Sequence, residues 1–350
     1  MKKNVWKKIG VMLAAAILLM AQSVMTFAQT DVLGNTVTNQ LLGSKSAEYN
    51  GRIYYSVRDK IYSVKKDGTG TKLVYKAKKG QGAIGFSELC VYKGTIYAIY
   101  DKNPGTDGSN SKLVRVKTNG KSYKELATAT DVAVVNGKIY CTKASLVKEE
   151  DVQYMQPKAI CRMDTNGKNT KTLVKKKNIE LLAASGSRMI YSVKDYDANK
   201  TTIYCCDLKG KNSKKLASET AGVTGYAADE NNFYYAVEAK GVTTVFKKVD
   251  MTTGKKENIL TTKNFTNSFY VEGDSLYATY EDGMKKYSLS TGKEEAVVNK
   301  DVTAGLRGIH GDVMVYEKYE EDNKANTDYS IYLGETGGKK IQKIGAYFMS

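Results

Sequence analysis

The chain holds one histidine, two prolines and one tryptophan in 350 residues. A single imidazole, His310, excludes histidine-based metal centres and leaves any serine or cysteine nucleophile only one imidazole to serve as its base. His310 falls in a predicted turn, where a solvated, exposed position is expected. Trp6 is the sole tryptophan and lies in a predicted leader, so the mature chain offers no indole for stacking against sugars. The five cysteines, Cys90, Cys141, Cys161, Cys205 and Cys206, include no Cys-x-x-Cys metal spacing. An odd count in an exported protein requires at least one free thiol unless a bridge is intermolecular. Four of the five interrupt alternating apolar runs, where cysteine behaves as a small hydrophobe. A bridge between Cys141 and Cys161 stays open, because the two fall on neighbouring predicted strands. Glycines are spaced by repeat and never cluster before a helix, which excludes a nucleotide-cradling loop. Past residue 28 no run is long and apolar enough to cross a bilayer.

At the start, Lys2, Lys3, Lys7 and Lys8 precede an apolar run from Ile9 to Ala21, and Thr26-Phe27-Ala28 supplies small residues for cleavage. That is the form of a secretory signal peptide over residues 1–28. Its removal takes away four lysines and lowers the formal charge from +17 to +13. Residues 29–44 are expected to be a lead-in segment, and 45–350 a single repeat domain, exported and monomeric.

An apolar residue followed by Tyr recurs at Ile53-Tyr54, Ile96-Tyr97, Ile139-Tyr140, Ile190-Tyr191, Phe233-Tyr234, Leu276-Tyr277 and Val315-Tyr316. The tyrosines are 43, 43, 51, 43, 43 and 39 residues apart. A period near 43 with β-rich composition predicts propeller blades of four strands. In the second repeat the four runs are 89–92, 95–100, 112–116 and 123–126. A tight glycine turn joins the third and fourth strands in every copy: Asp67-Gly68, Asn119-Gly120, Asn166-Gly167, Lys209-Gly210, Thr253-Gly254, Thr291-Gly292 and Gly337-Gly338. A second turn, before each apolar-Tyr phrase, uses Gly51, Gly94, Gly137, Gly186, Gly273 and Gly311, with Asn231-Asn232 standing in once. Both turns recur seven times, so the prediction is an all-β, seven-bladed β-propeller with antiparallel blades, six blades being the alternative. A β-solenoid coil is about half this length, and no break marks two tandem barrels. Ser46 to Asn50 supplies the innermost strand of the first blade, and both prolines fall in predicted long loops.

The run Gly51-Arg52-Ile53-Tyr54-Tyr55-Ser56, with Ile61-Tyr62-Ser63-Val64 and Asp67-Gly68-Thr69-Gly70, resembles a bacterial secreted family named for its likeness to the β-propeller of low-density-lipoprotein-receptor-related protein. Gly34-Asn35 and Ala47-Glu48-Tyr49 are similar to that family's opening segment, and the rhythm extends over residues 34–345. The resemblance implies a propeller and a secreted or surface habit, and it implies no reaction. Where receptor propellers carry Tyr-Trp-Thr-Asp, this chain keeps the Tyr and lacks the Trp and Asp.

Lys121, Lys168, Lys211, Lys255, Lys293 and Lys339 each follow a turn glycine. In a propeller these turns share one face, so nearly the whole net charge is expected there, suited to a polyanion such as an acidic wall polymer. Lysine at hairpin tips also blocks edge pairing, which needs no ligand. The opposite face collects loops of varied length, 101–111, 143–158, 194–200 and 317–328, where recognition concentrates. They carry Tyr154, Asp195, Tyr196, Asp197 and Tyr319, the candidate binding residues. Glycosidase chemistry needs only two carboxylates, for which Glu149, Glu150, Asp151, Asp195, Asp197, Glu320, Glu321 and Asp322 are available. Asp195-Tyr196-Asp197-Ala198-Asn199 has the alternating oxygens of a calcium loop, but Lys200 stands where the glycine belongs. No cofactor is expected beyond that calcium option. The expectation is a non-enzymatic binding scaffold at the cell surface, contacting a protein or cell-wall polymer through the variable-loop face; polyanion retention is the alternative, and a carbohydrate-active enzyme the third reading.

Overall fold

The computed structural model describes residues 33–77, 83–102, 110–149, 152–220, 222–239, 243–321, 327–336 and 342–348. The leader and its cleavage site, Pro104, Gly337-Gly338 and Lys339 lie outside them. The strands form antiparallel meanders, five sheets of four strands and one of seven. The seven-stranded sheet is two blades sharing a strand. Lys124–Val135 pairs through its first half with Asn110–Lys117 and through its second half with Lys138–Glu149. It is the outermost strand of blade 2 and the innermost of blade 3, giving seven blades of four strands.

Blade 1 runs outward from Ser46–Tyr49 to Lys72–Lys76, blade 2 from Ala83–Tyr92 to the shared strand, and blade 3 from that strand to Lys171–Lys175. Blades 4 to 6 begin at Ile179–Ala184, Val223–Ala228 and Ser268–Glu272. Blade 7 begins at Gly305–His310 and ends on Gln342–Phe348, so the tail supplies its outer strand.

Period-2 alternation sends successive side chains to opposite faces of a blade. Each face packs on a different neighbour. Ile53 and Tyr55 meet Val313 and Val315 of blade 7, whereas Tyr54 meets Leu89, Ile96 and Tyr100 of blade 2. Seven apolar clusters result, one between each consecutive pair of blades, the last joining blade 7 to blade 1. A completely buried side chain such as Ile53 contributes roughly 2 kcal/mol to such a seam.

The repeated phrase is out of phase in two blades. Ile190 faces blade 5 and Tyr191 faces blade 3, the reverse of Ile139 and Tyr140 in blade 3. Met189-Ile190 is therefore the structural equivalent, and in blade 7 it is Met314-Val315. These are the blades that follow the irregular spacings of 51 and 39 residues. A one-residue slip exchanges the two faces, so the pattern of burial rather than the tyrosine fixes the register.

Two predicted loops are strands. Residues 143–149 and 152–158 extend the strands Lys138–Glu149 and Val152–Asp164, and 317–321 and 327–328 extend Val313–Glu321 and Thr327–Glu335. Pro157 lies within a strand instead of a loop. It sits at a register shift between Pro157 and Ala159, where the ladder needs no N–H from it. The turn glycines are dictated twice over. Gly210 has φ +75°, and a Cβ there would lie 2.6 Å from the Leu173 carbonyl oxygen of the preceding blade.

Residues 33–45 fill the axis. The short helix α1, Val37–Leu41, is capped by the Thr36 hydroxyl, which accepts from the Asn39 N–H. Asn35 donates to the carbonyls of Ser46 (blade 1) and Leu89 (blade 2), each at 2.8 Å. The Gly34 N–H donates to Val134 of blade 3. Gln40 makes a two-way pair with the Ala184 backbone of blade 4, and Asn39 does the same with Ile309 of blade 7. Val37 and Leu41 pack on the cluster between blades 4 and 5, and Leu42 on that between blades 6 and 7. Most contacts fall near the ends of inner strands just before their first hairpin turns. The plug therefore closes the channel on the side where the glycine turns emerge.

His310 is the clearest correction to the expected surface. It is 3% exposed, on the inner strand of blade 7, not on a solvated turn. Its Nδ1 faces the Asn39 amide nitrogen at 3.4 Å and its Nε2 faces the Ser46 hydroxyl at 2.9 Å.

Candidate functional site

The variable-loop face is built from hairpins of unequal length. In blade 1 the second and third strands have 6 residues each, whereas in blade 3 they have 12 and 13. Six extra residues at 3.3 Å each carry the blade 3 hairpin about 20 Å further out. It presents Leu146, 45% exposed, with Tyr154 half-buried beside it across the register from Val147. Blade 4 ends its hairpin in a turn with Tyr196 at the tip, 72% exposed. Blade 7 raises Tyr319, 43% exposed, tilted against Tyr329 with ring centroids 4.8 Å apart. Blade 7 lies across the ring from blades 3 and 4, so these groups flank the channel mouth and do not form one pocket.

Asp195 and Asp197 are both exposed, and Asp195 spends an oxygen on the Ala198 N–H at 3.2 Å, closing its own turn. Among the described residues no three His, Cys, Asp or Glu side chains are placed to hold a metal ion. The side chains of Glu149, Glu320 and Glu321, and all of Glu150, Asp151 and Asp322, lie outside the described positions.

On the plugged face, Lys121, Lys168, Lys211, Lys255 and Lys293 are all exposed. Their backbone N–H groups donate to Asn119, Asn166, Asp207, Thr253 and Thr291, so the same local turn aims every lysine outward. None of these five ammonium groups forms an ion pair with a described residue, although Lys138, Lys247 and Lys318 elsewhere are paired. The acids of these turns are committed to the backbone. Hydrogen bonds from the Lys211 and Lys209 N–H groups hold the Asp207 carboxyl below its ordinary range.

The channel itself contains residues that sequence reading missed. Glu88, Asp131 and Glu180 stand on the inner strands of blades 2, 3 and 4. Burial, then the charges of Asp131 and Glu180, raises the Glu88 carboxyl well above the usual range. Burial and Glu180 push Asp131 up to about 7, against hydrogen bonds from Thr142, Leu181 and Thr130. Glu180 is paired with Lys194 at 3.1 Å. Register shifts in the inner strands of blades 2, 3, 4, 5 and 7 place Glu88, Thr130, Leu182, Thr224 and Arg307 at the bulges. A charged residue inside an apolar run, as in Ser87-Glu88-Leu89-Cys90, was the available signal. All five thiols are free, and Cys141 stands directly opposite Cys161.

No family model matches the chain, and no curated protein matches it. Solved structures do. A puromycin-hydrolysing peptidase of Mycobacterium tuberculosis superposes with TM-score 0.62 at 11% identity, covering 89% of this chain and 54% of that one. A puromycin hydrolase gives 0.61 at 11%, covering 91% and 57%. A prolyl endopeptidase gives 0.53 at 11%, covering 99% and 55%. This chain is a β-propeller. It spans about half the length of those three hydrolases, and the likeness is one of fold. The bacterial family resemblance stands at that level too. These neighbours overturn the expectation of a chain outside enzymology, since the same fold occurs within enzymes; the presence of a single imidazole excluded only some chemistries.

Proposed function

We propose that this propeller is an exported scaffold that holds a protein partner at the cell surface with its hairpin face. The observation that carries this reading is the set of projecting hairpins bearing exposed Leu146, Tyr196 and Tyr319. Tyrosine anchors combine apolar area with a polar tip and few rotors, and they dominate protein interfaces. A rigid seven-seam ring supplies the fixed base such arms require. The five unpaired turn lysines favour a second, separable contact: retention on an acidic wall polymer by the plugged face. Lysines aimed as point charges suit a linear polyanion without fixed geometry.

Retention of the purified chain on isolated cell-surface fractions, eluted with rising salt, separates the two. Hairpin binding predicts a salt-resistant portion that the triple change Leu146→Ser, Tyr196→Ser and Tyr319→Ser reduces about tenfold or more. Lysine-face binding predicts release between about 0.1 and 0.5 M salt and sensitivity to Lys121→Glu with Lys211→Glu. Retention that survives the triple change and also resists salt would refute both.

A further inference from the structure

The seam between blades 1 and 2 is filled by a run of rings. Phe86 packs on Tyr100 with centroids 4.6 Å apart, Tyr75 meets Phe86 edge-on at 5.9 Å, and Tyr75 stacks on Tyr123 at 5.1 Å. The next seam, between blades 2 and 3, has no ring at any of the matching positions. The strand registers give the match. Phe86 opposes Tyr100 where Ala129 opposes Lys143, and Ile61 opposes Tyr75 where Leu113 opposes Ala127. Tyr123 stands three residues after the turn glycine Gly120, and Thr170 three after Gly167. Four aromatic side chains are thus exchanged for two alanines, a threonine and a lysine. A cleft of about 580 Å³ opens there, with Ala127, Lys143 and Thr170 in its wall. Seams of this kind are otherwise close-packed, and the gap has the size of a small-molecule site.

The groups around the gap have surface to offer. Leu126 and Ala127 are half-buried and Leu146 is exposed, and together they make apolar walls. Two lysines reach the cleft from either side of the shared strand, Lys112 paired with Thr128 and Lys143 with Ala129. The half-buried Lys112 ammonium is pinned by the Thr128 hydroxyl at 2.8 Å, which leaves it hydrogens to give, and Lys143 is exposed. Neither forms an ion pair with a described residue, and no residue lining the cleft is acidic. Walls shaped by absent rings, beside two cations without counter-charge, suit one ligand chemistry. We propose that this cleft binds an aromatic carboxylate. Its ring takes the space that Tyr75 and Tyr123 fill in the neighbouring seam, and its carboxylate accepts hydrogens from Lys112 and Lys143. The site needs no macromolecular partner and shares only Leu146 with the hairpin reading, so its failure leaves that reading untouched.

Calorimetric titration of the full chain with 2-naphthoate, 2-naphthylmethylammonium and acetate tests it. The naphthoate is expected to bind with Kd below about 1 mM, and the other two about tenfold or more weakly, since one lacks the negative charge and the other the ring. Lys143→Ala, at an exposed position, should weaken the naphthoate about fivefold or more. Ala127→Tyr combined with Thr170→Tyr copies the filled seam and should abolish binding while the melting temperature holds or rises. Naphthoate that binds wild type no better than acetate does, or that binds Lys143→Ala within about twofold of wild type, overturns the proposal.

Discussion

Asn39→Ala is expected to lower unfolding free energy by about 3–5 kcal/mol. Asn39 is completely buried and accepts from the Ile309 N–H at 2.7 Å while donating to the Ile309 carbonyl at 2.9 Å and to Asn35 at 3.1 Å. Alanine would orphan both backbone groups of Ile309, and each buried unsatisfied group costs about 1–3 kcal/mol. The size follows from topology. Blade 1 and blade 7 are each built from one continuous stretch of chain, so no strand is exchanged to close the circle. Closure rests on the apolar seam between them, on Arg307 of blade 7 bonded to Ser56 of blade 1 at 2.8 Å, and on the plug. Urea denaturation of wild type and variant measures the difference. A loss under about 1 kcal/mol would mean that the axis is held by its apolar contacts alone.

Much of this architecture was legible because it is written seven times. Two glycine turns per repeat and alternating apolar residues were enough for blade number and strand count. What went unread was whatever occurs once. The plug uses Asn35, Asn39 and Gln40, polar residues that resemble a solvated segment until seven strand ends supply their partners. His310 beside Gly311 looks like a turn for the same reason. The phase slip at Ile190-Tyr191 and Val315-Tyr316 hid behind a phrase matched as text, although the 51- and 39-residue spacings marked it. For the candidate site, Tyr196 and Tyr319 could be placed on a face from the meander alone. Their lift above the ring could not, because Lys143 to Lys158 lacks clean alternation and contains Pro157. Glu88, Asp131 and Glu180 converge only once three blades sit side by side, which no local pattern encodes.

The pH dependence of stability should expose His310. The Asn39 Oδ1 accepts from the Ile309 N–H, which fixes the amide so that its nitrogen, already donating to the Ile309 carbonyl and Asn35, faces His310 Nδ1. That nitrogen cannot accept, so a proton on Nδ1 would have no partner; Nδ1 is bare, and Nε2–H donates to Ser46, whose hydroxyl passes on to the Arg307 carbonyl at 3.0 Å. Protonating Nδ1 would set donor against donor. Burial first, and the Lys66 charge second, push this imidazole down to about 3 from its ordinary 6.5. The unfolded chain therefore binds a proton between those values that the fold refuses, so stability falls as pH drops from about 6.5 toward 3. Asp131 acts with the opposite sign. Its carboxyl is raised to about 7, so the fold takes up a proton before the unfolded chain does, and stability rises as pH drops through 7 toward 3.8. Glu88 adds to that gain. The wild-type profile is thus flattened by opposed groups, and removing one reveals the other. His310→Gln should cost stability at pH 7 yet abolish the acid loss. Going from pH 7 to 4.5, the variant should gain about 2–3 kcal/mol relative to wild type. Asp131→Asn should lose the opposing gain and fall relative to wild type instead. Parallel urea titrations at the two pH values decide the matter: equal changes in wild type and His310→Gln would show that the imidazole is not held neutral in the fold.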